Sequence, residues 1–247
     1  MSAAQPPGDR VTAATASQAR NAKDAAVSAF ANIEAYDLWA NSYPPLPHNP
    51  LMRAEQAALL GLLPEVRGCR ALDLACGSGR YALLLQERGA RCVVGCDLSA
   101  GMLARAPLAH RVRADMSRLP FAAASFDIVV CGLAVGHAAD LDVWMTEVAR
   151  VLAPGGALVY SDFHPDAARA GMTRSFTDAA GQRHELQHAL HDLEAHIAAA
   201  WRAGLALDAS RELHVGKELN EPFSGSEAFY ARWDGLAVVL ALRLIKP

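Results

Sequence analysis

From residue 70 to residue 163, short continuous apolar runs alternate with stretches whose apolar positions recur every three or four residues. The continuous runs read as strands buried on both faces, and the intervening stretches as amphipathic helices. Strands are expected at 70–75, 91–97, 110–114, 126–133 and 157–163. Helices are expected at about 80–88, stopped by Gly89, and from Ser99 as N-cap to about 105. A third should run over 140–152, with Asp140 as its cap and Pro154-Gly155-Gly156 ending it. Upstream, Phe30, Ile33, Tyr36 and Trp39 mark one face of a helix over about 25–43. The prolines of Tyr43-Pro-Pro-Leu-Pro-His-Asn-Pro50 remove amide donors and break it, and a second helix follows over 51–63. After His164 the rhythm is lost. Residues 165–185 read as loop or insertion, 187–203 as a helix, and 205–215 and 236–246 as strands. No repeat is visible. Repeated strand–helix units of this kind argue for a mostly parallel sheet covered on both faces.

The 247 residues suit one α/β domain with insertions, and 52% apolar residues supply a substantial core. A net charge of −3, with Lys and Arg scattered, gives no electrostatic case for nucleic acid or an anionic membrane. A small-molecule partner is expected instead. Cys69, Cys76, Cys92, Cys96 and Cys131 make an odd count with no CxxC pair. They read as buried thiols of a reducing, cytoplasmic location, with no metal site. Residues 1–24 are expected to form a flexible tail ahead of one domain over 25–247. The apolar run 236–245, interrupted by Arg243, is too short to span a bilayer.

The chemistry concentrates after the first strand. Gly77-Ser-Gly79-Arg-Tyr-Ala82 opens a helix where glycine lets backbone amides approach a ligand, and it satisfies a G-x-G-x-x-A fingerprint. Asp97 ends the next strand, where an acid binds ribose hydroxyls. That pairing fits either a nicotinamide dinucleotide or S-adenosylmethionine (SAM). Asp73, just ahead of the loop, suits the cationic end of an amino-acid cofactor and is poorly placed beside a pyrophosphate. Asp115, after the third strand, can accept from an adenine amine. These favour SAM.

The strings ALDLACGSGR, GCDLSAGML, RADMSRLPF, SFDIVVCGLAVGH and VARVLAPGGALV, in this order and spacing, resemble class I SAM-dependent methyltransferases. The resemblance covers roughly residues 30–163 and is to the small-molecule type grouped with ubiquinone and menaquinone methylases. It implies a Rossmann-like, seven-stranded, mostly parallel sheet whose last strand is antiparallel, and S-adenosylhomocysteine as product. By the same resemblance, Asp73 and the backbone of Ala75, Cys76, Gly77 and Gly79 hold the methionine moiety. Asp97 takes the ribose, Leu98 packs on adenine, and Asp115 with the Met116 amide reads the adenine edge. Backbone near Cys131 faces the methyl group. Met102 reads as core filler or cofactor contact. Ala75 stands where the family usually has glycine, which is expected to be harmless if φ there is negative.

For the acceptor side, His137 after the fourth strand is the first candidate for a base or substrate contact, and His164 after the fifth is the second. Asp162 should face the same rim as His164. Tyr36 and Tyr43 belong to a helical lid over about 25–63, and the segment of about 165–186 is the expected substrate insertion. His184, His188, His191 and His196 are spaced to share a helical face, with His188 lining the pocket in preference to binding metal. The expectation is a methyltransferase acting on an O, N or C atom of a small metabolite, quite in keeping with secondary metabolism, as monomer or homodimer. The alternative is a SAM-binding protein of the same fold with another reaction or a non-catalytic partner role.

Overall fold

The computed structural model describes residues 32–247 except 45, 139, 179 and 224, so the expected tail and the start of the first helix lie outside the described residues. Helix α1 occupies 32–39. It is followed by α2 (Pro50–Leu62), β1 (Arg70–Leu74), α3 (Arg80–Glu87), β2 (Cys92–Asp97), α4 (Ala100–Arg105), β3 (Arg111–Arg113) and β4 (Phe126–Cys131). A short 3-10 turn (Val135–His137) then leads into α5 (Leu141–Val151), β5 (Leu152–Phe163), α6 (Pro165–Arg169), β6 (Ser175–Thr177) and β7 (Arg183–Glu185). The chain closes with α7 (Leu193–Arg202), β8 (Ala206–His214), α8 (Ser226–Trp233) and β9 (Ala237–Ile245).

Seven strands form one sheet in the order β3-β2-β1-β4-β5-β9-β8, and β6 and β7 make a separate hairpin. β1 to β5 pair in parallel, while β9 runs antiparallel to both β5 and β8. This is the expected Rossmann-like α/β sheet with its last strand reversed. Alternate residues of each central strand feed two cores. Leu72, Val129, Leu158 and Leu242 pack with Trp144 and Val148 of α5 on one face. Ala71, Val130, Val159 and Ala241 pack with Leu59 of α2 and Leu85 of α3 on the other. Burial on both faces is why these strands read as continuous apolar runs and not as alternating ones.

Ser99 and Asp140 cap α4 and α5 as expected, each side chain accepting from an amide of the first turn. Four expectations are corrected. Pro154-Gly155-Gly156 does not precede the fifth strand but lies inside it: β5 begins at Leu152, its register slips opposite Phe126 and Ile128, and Gly155 turns with φ 76°. The helix expected over 187–203 begins only at Leu193, so His184 lies in β7, His188 and His191 in the connection, and only His196 on a helix. The stretch between the last two strands, whose Gly and Pro residues read as a plain connection, contains α8. Finally, Cys69 and Cys92 are half-buried, whereas Cys76, Cys96 and Cys131 are buried.

Candidate functional site

The strand order reverses between β1 and β4, and a crevice opens there at the carboxyl ends of the parallel strands. Three residues of the loop leaving β1 have left-handed backbone: Ala75 at φ 54°, Gly77 at 54° and Gly79 at 88°. The expectation of a negative φ at Ala75 is therefore wrong. A residue with a Cβ is held here in a conformation that favours glycine. A Cβ added at Gly77 would meet nothing within 4 Å, because this residue faces open cavity. Gly79 is the N-cap of α3.

The first cavity lies against this loop. Its walls are Leu74, Leu98, Met102, Met116 and Ala134, and its polar edge includes Asp97, Ser99 and Asp115. Met102 is thus both buried core and cavity wall. Asp97 accepts from the Gly77 amide at 2.7 Å and from the Ser99 amide at 2.8 Å, and burial raises its pKa. Asp115 accepts from the Ser117 amide at 2.8 Å. Among the described residues, two carboxylates and no Lys or Arg line this cavity. That donor set matches the hydroxyls and amine of an adenosine with a cationic substituent, and would repel a pyrophosphate. The residues present fit SAM.

Asp73 sits one layer below. It is buried and accepts from the Ala82 amide at 2.7 Å, tying β1 to the first turn of α3, and burial pushes its pKa up to about 7. Asp73, Cys76, Gly79 and Cys131 do not line either cavity described here. They shape the loop and strand from beneath.

His137 stands at the far end of the first cavity. Nδ1 lies 3.2 Å from both the Gln187 carbonyl oxygen and the Asn32 side-chain amide nitrogen, while Nε2 lies 2.9 Å from the Tyr36 hydroxyl and 3.4 Å from the Arg174 guanidinium. Both ring nitrogens are thus engaged by the protein. Burial, then the Arg174 charge and His188, push the pKa of His137 down to about 3. The ring is therefore neutral and a poor proton acceptor near neutrality. Tyr36 is raised by burial, and Tyr43 to about 12, so both remain protonated donors.

Tyr36 and Tyr43 also line a second, larger cavity of about 660 Å³. Its lining is aromatic and apolar, with Trp39, Phe163, Phe223 and Phe229, and its charged groups are Arg53, Arg80 and Arg174. Two elements cover it. Asp37 fixes α1 by accepting from the Gly101 amide at 2.9 Å and from the Ser99 hydroxyl. The β6–β7 hairpin docks on α1 through Trp39 stacked on Phe176, with centroids 4.6 Å apart at 9°, and through Asn32, which donates to the Gln187 carbonyl at 2.8 Å.

The remaining candidates are placed elsewhere. His164 caps α6, accepting from the Asp166 amide at 3.2 Å, with Nε2 3.7 Å from Glu212, and it lines neither cavity. Asp162 is buried and accepts from the Gly136 amide at 3.1 Å, so it holds the turn that carries His137. It also lies 3.7 Å from His196, whose pKa burial pushes down to about 3, so the imidazole is neutral and the contact is not an ion pair; burial drives the acid itself up to about 7. His188 packs edge-on against Phe163 and lines neither cavity. Among the described residues, no group of three or more His, Cys, Asp or Glu side chains could hold a metal. Reading the sequence alone missed Arg174 and Asn32, for which the chain carries no motif.

Residues 72–160 match the family model described as methyltransferase domain. Over that stretch the chain is similar to methyltransferase domains, in keeping with its Rossmann-like sheet. It is 38% identical over 123 residues to the malonyl-[acyl-carrier protein] O-methyltransferase of Enterobacter lignolyticus, covering 48% of this chain and 49% of that protein. It is 39% identical over 140 residues to a demethylmenaquinone methyltransferase of Mycobacterium sp. strain KMS, covering 56% and 59%. These matches span roughly half the length of each curated relative. A crystal structure of an S-adenosylmethionine-dependent methyltransferase from Mesorhizobium loti superposes with a TM-score of 0.61 at 28% identity, covering 78% of this chain and 97% of that one.

Proposed function

We propose that this chain transfers a methyl group from SAM to an O, N or C atom of a small-molecule metabolite. The observation that carries the reading is the meeting of two cavities at Tyr36 and Tyr43, one edged by carboxylates and the other roomy and aromatic. When bound, SAM supplies an electrophilic methyl carbon on a sulfonium, so the protein must orient the acceptor and exclude water more than it must supply acid or base. Asp97 would accept from the ribose hydroxyls, Asp115 and the Met116 amide would read the adenine edge, and Leu98 would pack on the ring. The Ala75–Gly77 backbone, supported from beneath by Asp73, would hold the methionine end. Tyr36 and Tyr43 close the site as a lid. His137 acts as a positioning residue, its Nε2 hydrogen-bonded to the Tyr36 hydroxyl. A cytoplasmic location is part of the same reading.

The test is to incubate the protein with SAM and candidate acceptors, including the malonyl thioester and demethylmenaquinone named for the two relatives, and to follow S-adenosylhomocysteine. Acceptor-dependent product, abolished in Asp97→Ala, is the expected result. Tight SAM binding with no product from any acceptor would favour a non-catalytic or differently reacting SAM-binding protein.

A further inference from the structure

The two cavities carry opposite charge. Among the described residues, the first has Asp97 and Asp115 with no cation, and the second has Arg53, Arg80 and Arg174 with no acid in its lining. Two of those arginines are neutralised within the protein: Arg53 pairs with Glu221, and Arg80 with the buried Glu55 at 2.9 Å. Arg174 differs. It is half-buried, and among the described residues no carboxylate lies within ion-pair distance of it. Its partners are neutral, the Leu133 carbonyl at 2.7 Å and His137 Nε2 at 3.4 Å. Its charge does act on the buried Asp162, offsetting part of the rise that burial causes in the acid's pKa, yet the two form no ion pair, so the half-buried guanidinium keeps donors for an anion in direct contact.

Its position says where that anion would sit. Of the two contacts of Arg174, Leu133 lies on the connection between β4 and the 3-10 turn and His137 ends that turn, beside the tyrosines shared by both cavities. The backbone is committed to this arrangement. Leu133 is left-handed at φ 51°, costly for a residue with a Cβ, and is held there because the Ser161 carbonyl and hydroxyl both accept from its amide, at 3.1 and 2.9 Å. That conformation presents the carbonyl that receives Arg174. The Leu186 amide donates to the Arg174 carbonyl at 2.8 Å, fixing the arginine to the hairpin that covers the cavity. The rest of the lining suits a flat apolar body: Trp39, held parallel to Phe176, with Phe163 and Phe229.

We propose that the second cavity takes a flat, apolar small molecule bearing an ionised oxygen, carboxylate or phenolate, and that Arg174 pairs with that oxygen at the tyrosine junction. The proposal rests on the methyltransferase reading of the first cavity and narrows its acceptor class. It also removes the need for a protein base, which His137 is ill suited to be. An oxygen that arrives ionised attacks the methyl carbon, forming the C–O bond as the C–S bond breaks. The electron pair stays on sulfur, and no proton has to move.

The experiment uses the full chain saturated with S-adenosylhomocysteine and measures binding by calorimetry. The ligands are 2-naphthoate against 2-naphthamide, and 4-nitrophenolate against 4-nitroanisole, for the natural sequence, R174M and R174K. An anion should bind at least about tenfold more tightly than its neutral counterpart. That preference should vanish in R174M and survive largely in R174K, with S-adenosylhomocysteine affinity unchanged in both. Preference for the naphthoate alone identifies a carboxylate, and for the nitrophenolate alone a phenolate. Equal binding of anions and neutrals, or a preference that persists in R174M, overturns the proposal. So does lost S-adenosylhomocysteine affinity in an R174M that still melts cooperatively, because the guanidinium would then serve the cofactor's own carboxylate. If R174M fails to fold, the natural sequence and R174K decide. Failure of the natural sequence to bind S-adenosylhomocysteine at the outset is a separate result, which removes the methyltransferase reading itself.

Discussion

Ala75 and His137 show how single residues in this site depart from what their type suggests. Ala75 is held left-handed at φ 54°, which costs an L residue roughly 1–2 kcal/mol. Glycine removes that cost but adds about 0.4–1 kcal/mol of unfolded-state freedom. Ala75→Gly should therefore stabilise the protein by about 0.5 kcal/mol, read as a Tm increase of about 2 °C, with SAM affinity retained. A lower Tm would show that the methyl group contributes packing that outweighs the backbone. His137, with its pKa pushed down to about 3, is neutral throughout the range where enzymes are assayed. Any inflection of the kcat profile near pH 7 should persist in His137→Gln, since burial pushes Asp73 and Asp162 up to about 7; one that disappears in that variant would make His137 a base after all. At this scale Asp97 and Asp115 are legible in the sequence, because strand ends announce where a cofactor lies. Arg174 is not, because only the folded chain brings it from the start of the hairpin to Leu133 and His137.

At the scale of elements, the proposed lid is built from two pieces distant in sequence. α1 and the β6–β7 hairpin meet through the Trp39–Phe176 stack, and Phe176 also stacks on His184 at 5.0 Å. Phe176 lines neither cavity, so it acts on the acceptor only by holding Trp39 and the hairpin. Phe176→Ala should raise the acceptor KM by about 3–10-fold and speed proteolysis within the hairpin, while SAM affinity stays the same. Equal loss of SAM and acceptor binding would show that the hairpin does not work as a separate cover. The sheet strands are readable from their continuous apolar runs, since both faces are buried. The hairpin is not, because its strands are three residues each and the only buried side chain between them is Phe176.

Across the whole molecule, one buried carboxylate links core to site. Glu55 of α2 accepts from Tyr81 at 2.7 Å, Ser161 at 2.6 Å and Arg80 at 2.9 Å, joining α2, α3 and β5. Ser161 in turn accepts from the Leu133 amide that sets the junction. Gly132 is required beside it, since a Cβ there would lie 2.4 Å from the Tyr81 ring. Glu55→Ala leaves the largely buried Arg80 unpaired and should cost about 3–5 kcal/mol, a Tm loss of roughly 6–20 °C. A loss below about 1 kcal/mol in urea denaturation would mean that water or another acid replaces it. This network is invisible in the sequence, where a Glu in an amphipathic helix reads as a solvated face. The fold and the cofactor loop are visible there, because strand periodicity and glycine spacing are local properties. The central claim is that the crevice at the β1–β4 reversal holds SAM and not a dinucleotide. Calorimetric titration of the full chain with SAM and with NAD tests it most directly. Binding of SAM at one site per chain, with no heat from NAD, is the predicted result; saturable NAD binding without SAM binding would contradict it.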